Sequence, residues 1–285
     1  MSDATTVTVL GAGTMGAGIA QACAAAGHAV TVVDRQPEAL ERCLATVDAS
    51  LERLVRKGTM SDDAAAQARA RIAVTTDLAA SVGGAAIVIE AVYEDLATKQ
   101  ALWRQVDSHA PAEALRATNT SSLSVTEIAQ ASSRPERFCG LHFFNPVPVL
   151  PLVEVVRAER TSPATLDEAV AFATAIGKTP IVCGDTPGFI VNRLLIPYVN
   201  DAVHALGEGV ARAADIDTAM KLGANLPMGP LALADLIGLD VTLAVIESLH
   251  RETADPRFRP AVRLRQLVRA GKLGRKTGEG FHRYE

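Results

Sequence analysis

Apolar positions along this chain follow two rhythms, and the change between them falls near Gly184. Up to that point, short runs of consecutive apolar residues alternate with stretches whose apolar positions recur every three or four residues. The runs at 6–10, 29–33, 71–74, 86–92, 138–144, 152–156 and 179–183 predict strands, with 71–74 and 86–92 reading as buried parallel ones. Between them, residues 15–26 have helical composition, and residues 38–56 carry an apolar stripe of Leu40, Leu44, Val47, Leu51, Leu54 and Val55. Ser61-Asp62-Asp63 opens another helix, Glu94 opens the one carrying Lys99 and Trp103, and Pro163 starts one reaching Ile176. Strands alternating with helices predict an α/β domain over residues 1–184. Pro187-Gly188 then breaks the chain, and helical periodicity alone follows at 189–206, with a kink at Pro197, then at 214–222, 231–235, 240–250 and 261–270. Residues 185–285 are expected to form an all-α domain.

The first strand–helix–strand has a specific form, VTVLGAGTMGAGIAQACAAAGHAVTVVD over residues 7–34. Gly11 permits a tight turn off the strand, Gly13 lets a pyrophosphate approach the backbone, and Gly16 lets the helix pack close to the sheet. The free N–H groups opening that helix face the phosphates. Asp34, at the end of the second strand, accepts from the ribose hydroxyls and repels a 2′-phosphate, which favours NAD over NADP. Arg35 follows directly and would serve a 2′-phosphate, so the preference for NAD rests on Asp34 outweighing it. The N-terminal domain is therefore expected to be a Rossmann-type NAD-binding domain with a helical insertion.

Polar residues punctuate the apolar pattern at several places. Glu90 ends an apolar run, where a strand meets the cofactor crevice. Asn119-Thr120-Ser121-Ser122 is either a turn or a ligand-facing loop, and Ser124 with Glu127 forms a capping box for a short helix. In RFCGLHFFNPVPVLP, residues 137–151, three prolines force His142 and Asn145 into the end of a strand and a rigid loop. Glu154 is a lone acid in the apolar run that follows and needs a partner, for which His142 is the candidate. An alcohol-oxidising nicotinamide enzyme needs a base and groups that fix the substrate oxygen. His142 suits the base because imidazole titrates near neutrality, Glu154 would orient it, and Ser121 and Asn192 can bond the substrate oxygens. The competing readings are a core histidine packed between phenylalanines and an asparagine bonding backbone or solvent. Ser50, Arg53, Arg56 and Lys57 form either an ordinary solvated face or a basic edge for an anionic nucleotide thioester.

Composition narrows the class. The 285 residues suffice for a substantial core, and a net charge of −4 argues against a nucleic-acid binder. Cys23, Cys43, Cys139 and Cys183 are scattered without metal-type spacing, as expected of buried thiols in a reducing cytoplasm. No metal is expected, nor a signal peptide or membrane span.

With these motifs in place the chain resembles the 3-hydroxyacyl-CoA dehydrogenases, closest to the bacterial short-chain members acting on 3-hydroxybutanoyl-CoA. The resemblance runs through GAGTMGAGIAQ (11–21), VIEAVYEDLATK (88–99), NTSSLSVTEIA (119–129), GLHFFNPVPVLPLVEVV (140–156), DTPGFIVNRLLIPYVNDAV (185–203), DIDTAMKLGANLPMGPLALADLIGLD (215–240) and GRKTGEGF (274–281). It implies reversible NAD-dependent oxidation of an (S)-3-hydroxyacyl-CoA to the 3-oxoacyl-CoA, in fatty acid or butanoate metabolism. It implies His142 as base oriented by Glu154, with Ser121 and Asn192 on the substrate oxygen. Gly11, Gly13, Met15, Gly16, Asp34, Glu94, Lys99, Ser121, Asn145 and Lys276 match cofactor-binding positions. Ser50 and Lys57 match positions touching coenzyme A, and the helical domain is implied to form a homodimer. Tyr93, Pro151 and His282 depart from the family pattern and bear on acyl-chain preference. The alternatives are a 3-hydroxyadipyl-CoA dehydrogenase of aromatic degradation, an enzyme of free sugar acids, and a non-catalytic NAD-binding relative.

Overall fold

The computed structural model describes residues 5–284. The chain divides after Thr186 into two compact units, two residues later than the change of rhythm in the sequence.

The first unit is built on eight strands: β1 (Thr6–Leu10), β2 (Ala29–Val33), β3 (Ile72–Thr75), β4 (Ile87–Glu90), β5 (Leu115–Thr118), β6 (Phe138–Phe143), β7 (Leu152–Arg157) and β8 (Thr179–Gly184). They form one sheet in the order β3-β2-β1-β4-β5-β6-β7-β8. Strands β1 to β6 are mutually parallel, β7 runs antiparallel to β6, and β8 is parallel to β7. The chain works outward from β1 to β3, then crosses to the other side of β1 to begin β4. That reversal opens a crevice at the carboxyl ends of β1 and β4. Seven helices connect the strands: α1 (Thr14–Ala25), α2 (Pro37–Arg56), α3 (Asp62–Ala70), α4 (Leu78–Val82), α5 (Leu96–Asp107), α6 (Val125–Ala129) and α7 (Pro163–Ala175). Val9, Val32, Ile89, Leu115 and Leu141 from the sheet and Ile19, Val47 and Phe172 from the helices share one buried core.

Several local readings change. β3 was expected to be buried, but as the sheet's edge it keeps Ala73 exposed and Val74 and Thr75 half-buried. Glu94 was expected to open α5. Asp95 is the N-cap instead, its Oδ1 accepting from the Thr98 amide at 2.8 Å, which frees the Glu94 carboxylate for other work. Ser124 caps α6 as expected, accepting from the Glu127 amide at 3.2 Å. The remaining amides of that turn, Val125 and Thr126, go to the Asp185 carboxylate. The short α4 was not foreseen.

The second unit comprises α8 (Val191–Gly207), α9 (Ala213–Gly223), α10 (Pro230–Ile237), α11 (Leu239–Thr253) and α12 (Val262–Arg269). Its separate core includes Ile196, Val203, Leu231, Ile246, Leu264 and Leu267. α8 begins two residues later than the periodicity predicts, because Gly188 and Phe189 both have left-handed φ, +76° and +50°. Buried polar groups fasten the loops. Asn200 donates to the Arg259 carbonyl and accepts from the Ala261 amide at 2.9 Å. Asp235 accepts from the amides of Phe281 and His282 and from the Tyr284 hydroxyl, pinning the last residues described.

Candidate active site

The first turn of α1 leaves its amides to an open cavity. Gly13, its N-cap, offers no side-chain acceptor, whereas Ser61, Asp77, Asp95, Ser124 and Ser162 cap α3 to α7 with their side chains. A cavity of about 830 Å³ at this point is lined by Gly11, Gly13, Met15, Asp34, Arg35 and Tyr93, among others. A Cβ on Gly13 would meet no protein atom within 4 Å and would only take space from the cavity. At Gly16 a Cβ would lie 1.8 Å from the Gly11 carbonyl oxygen, so the helix approaches the loop as closely as glycine allows. Asp34 is held by two amides, Oδ2 accepting from Ala12 at 2.9 Å and Oδ1 from Gln36 at 3.0 Å. Each oxygen retains a lone pair for a hydroxyl donor. Uncapped amides, an open glycine and a fixed carboxylate suit a dinucleotide with a free 2′-hydroxyl.

A second constellation sits at the end of β6. The antiparallel register sets His142 directly opposite Glu154. His142 Nδ1 lies 2.7 Å from Glu154 Oε2, and both residues are buried. A carboxylate only accepts, so Nδ1 carries the proton and donates. Nε2 is then the basic nitrogen, and the Ser121 hydroxyl donates to it across 3.0 Å. The prolines break the strand after Phe143, and the loop that follows returns the chain as β7.

Ser121 is itself held in place. Glu94 Oε1 accepts from the Thr120 hydroxyl at 2.6 Å and from the amides of Ser121 and Ser122 at 2.8 and 3.1 Å. Burial pushes the Glu94 carboxyl up, but Lys99 and the bonds from Thr120, Ser121 and Ser122 outweigh it and hold the group below its ordinary value. Lys99 is fully buried, its ammonium 2.6 Å from Glu90 Oε1 and 3.4 Å from Glu94 Oε2. Asn119 Oδ1 accepts from the Phe143 amide, tying the serine loop to the residue after His142. Sequence reasoning set Glu90 at the cofactor crevice, from a lone acid ending the apolar β4 run, and Asn119 in a turn or ligand-facing loop, but gave neither a role at the site.

The structure thus brings Ser121, His142 and Glu154 together, with Glu94 and Lys99 behind Ser121. Asn145 is exposed in the proline loop. Ser50 and Lys57 lie two turns apart on one face of the α2 end, with Leu54 between them. Leu54 lines a smaller cavity of about 340 Å³ together with Gln21, Met60, Pro148 and Lys178. Asn192 and Lys276 belong to the second unit, Asn192 in the first turn of α8 and Lys276 with its ammonium 2.6 Å from both Asp240 oxygens. Among the described residues, no cluster of His, Cys, Asp and Glu has the makings of a metal site.

Comparison with known proteins places these features in context. Residues 6–186 match the model of the 3-hydroxyacyl-CoA dehydrogenase NAD binding domain, and residues 188–284 that of the 3-hydroxyacyl-CoA dehydrogenase C-terminal domain. The chain is 45% identical to the mitochondrial hydroxyacyl-coenzyme A dehydrogenase of Homo sapiens, over 98% of this chain and 91% of the human one. It is 44% identical to the 3-hydroxybutyryl-CoA dehydrogenase of Clostridioides difficile, over 98% and 99%. The crystal structure of (S)-3-hydroxybutyryl-CoA dehydrogenase from Ralstonia eutropha superimposes with a TM-score of 0.95 at 47% identity, covering 99% of this chain and all of the other.

Proposed function

The chain belongs to the 3-hydroxyacyl-CoA dehydrogenase family, and from that premise we propose that His142, set by Glu154 and Ser121, moves the proton in the NAD-dependent oxidation of an (S)-3-hydroxyacyl-CoA. The observation that carries this reading is the cross-strand register that puts a carboxylate on Nδ1 and leaves Nε2 basic beside a hydroxyl. When bound, the nicotinamide supplies the hydride acceptor. Nε2 of His142 takes the proton of the 3-hydroxyl as the carbon–oxygen double bond forms. Glu154 Oε2 keeps the Nδ1 proton in place and stabilises the imidazolium. Ser121 Oγ holds the substrate oxygen within reach of Nε2, and Asn192 is the second group assigned to it. In the reverse direction the imidazolium returns the proton to the 3-oxo oxygen.

The cofactor is NAD. Asp34 presents a carboxylate fixed by two amides where a 2′-phosphate would have to sit. Gly11, Gly13, Met15 and Gly16 form the pyrophosphate cradle, and Glu94, Asn145 and Lys276 are the further cofactor positions, with Lys99, fully buried, standing behind Glu94. For coenzyme A, Ser50 and Lys57 flank Leu54, whose cavity reaches Pro148 in the loop following His142. The 3-hydroxybutanoyl thioester is the substrate named for the bacterial relatives. The second unit leaves Leu194, Val210, Leu222 and Val262 exposed, which supports a homodimer made through this unit. No helix of the described residues is long and apolar enough to cross a membrane, and the free cysteines suit the cytoplasm assigned here.

The test is absorbance at 340 nm with acetoacetyl-CoA and NADH, then NADPH. Rapid loss with NADH alone is expected. Preference for NADPH would show that Arg35 outweighs Asp34. His142→Gln is expected to abolish turnover and keep NADH binding; an active variant would remove His142 from its role.

A further inference from the structure

Glu90 is a charge with no part in the chemistry above, yet it is fully buried at the end of β4. A buried carboxylate is tolerated only with full compensation, and Glu90 has it. Oε1 accepts from Lys99 Nζ at 2.6 Å and from the Val92 amide at 2.8 Å, and Oε2 from the Thr118 hydroxyl at 2.6 Å. Among the described residues its cationic partner is the Lys99 ammonium, which has two carboxylates to serve. The second, Glu94, stands 3.4 Å from Lys99 and is the group that gathers the amides of Ser121 and Ser122. Lys99 also donates to the Asn119 carbonyl at 3.2 Å, and the Asn119 side chain holds the Phe143 amide. Both contacts bear on the loop that carries Ser121, so the serine half of the Ser121–His142 contact is reached from this one ammonium.

We propose that Glu90 is a positioning residue for the reaction: by fixing the Lys99 ammonium at the end of β4, it keeps Glu94 on the Ser121–Ser122 amides and so sets Ser121 Oγ against His142 Nε2. With Glu90 neutral, Lys99 has Glu94 as its nearest carboxylate. The ammonium and Glu94 close up, Glu94 Oε1 loses its hold on the two amides, and the serine loop loosens. Thr118 and the Val92 amide locate the Glu90 carboxylate itself, so the register of β4 against β5 is carried into the loop geometry.

The inference rests on the roles assigned to Ser121 and His142, so the experiment separates the two. In folded Glu90→Gln, kcat with NADH and acetoacetyl-CoA is expected to fall about ten- to a hundredfold, with both KM values within about threefold, the pattern of a misplaced group rather than lost binding. In a Ser121→Ala background the same change is expected to cost nothing further, because the route runs through Ser121. A kcat within about twofold of the parent enzyme, or an equal loss in the Ser121→Ala background, overturns the proposal. Should Glu90→Gln not fold, Thr118→Val removes one of the bonds that locate the Glu90 carboxylate and leaves both charges in place. It is expected to lower kcat in the same direction, and a parental kcat there overturns the proposal equally. Failure of the functional reading shows elsewhere, as turnover by His142→Gln.

Discussion

Side-chain placement at His142 sets Nδ1 against Glu154 and Nε2 against Ser121, and the division depends on Glu154 being an acceptor only. In Glu154→Gln the amide can donate to Nδ1, which moves the ring proton to Nε2 and removes the base. The equivalent change in a Ser–His–Asp triad costs about 10⁴ in kcat. A fall of about 10²–10⁴ is expected here, with NADH affinity retained, read by steady-state kinetics beside a fluorescence titration. Glu94 carries a pH consequence. Its folded-state value is depressed, so it adds stability above the unfolded value, about 4.3, and that stability is lost as pH falls through the lower folded value. Urea midpoints measured from pH 7 to pH 3 should fall on the acid side, and less steeply in Glu94→Gln. Residue types alone marked His142 and Glu154, because a lone acid in an apolar run must have a partner. They could not mark Glu94 as the hub of the serine loop, since Asp95 beside it competes for the helix cap and only geometry shows which acid took it.

Elements were legible where the pattern was strong and local. β1 and β2 are short apolar runs closed by glycine and aspartate, and both appear where the pattern puts them. Strand direction has no signature in periodicity, so the antiparallel turn between β6 and β7 could not be read from the runs themselves. α4 has only five residues before Gly83, too few to show a period, and β3 is less buried than its apolar run predicts because, among the described residues, it stands at the edge of the sheet. The β1–α1 junction makes the sharpest prediction at this scale. Gly16→Ala puts a methyl 1.8 Å from the Gly11 carbonyl oxygen, a backbone atom that cannot swing away. The helix must move off the sheet, with an expected cost of about 1–3 kcal/mol in stability. NADH affinity is expected to fall at least about tenfold, since the uncapped amides move with the helix. Isothermal titration and thermal unfolding of the variant would test both effects.

At the scale of the molecule, two units with separate cores divide the work unequally. The glycine loop, Asp34 and the Ser121–His142–Glu154 constellation all lie in the first. NADH at a hundred times its Kd should stabilise that unit by about 2.7 kcal/mol. In hydrogen exchange, the core amides of β1, β2 and β4 are expected to slow. The Ala261 amide, bonded to Asn200 in the second unit, should change less. Equal slowing in both would show that the units unfold as one. The antiparallel return of β7 has a further meaning for how such an enzyme diversifies. The partnership of His142 and Glu154 is written in a strand register, while the chain joining them is an irregular loop held from outside by Lys178, which donates to the carbonyls of Val147 and Leu150. The register, not that loop, decides that His142 faces Glu154. Evolution, or a designer, can therefore rewrite the loop while the pairing of the two side chains is inherited with the strands.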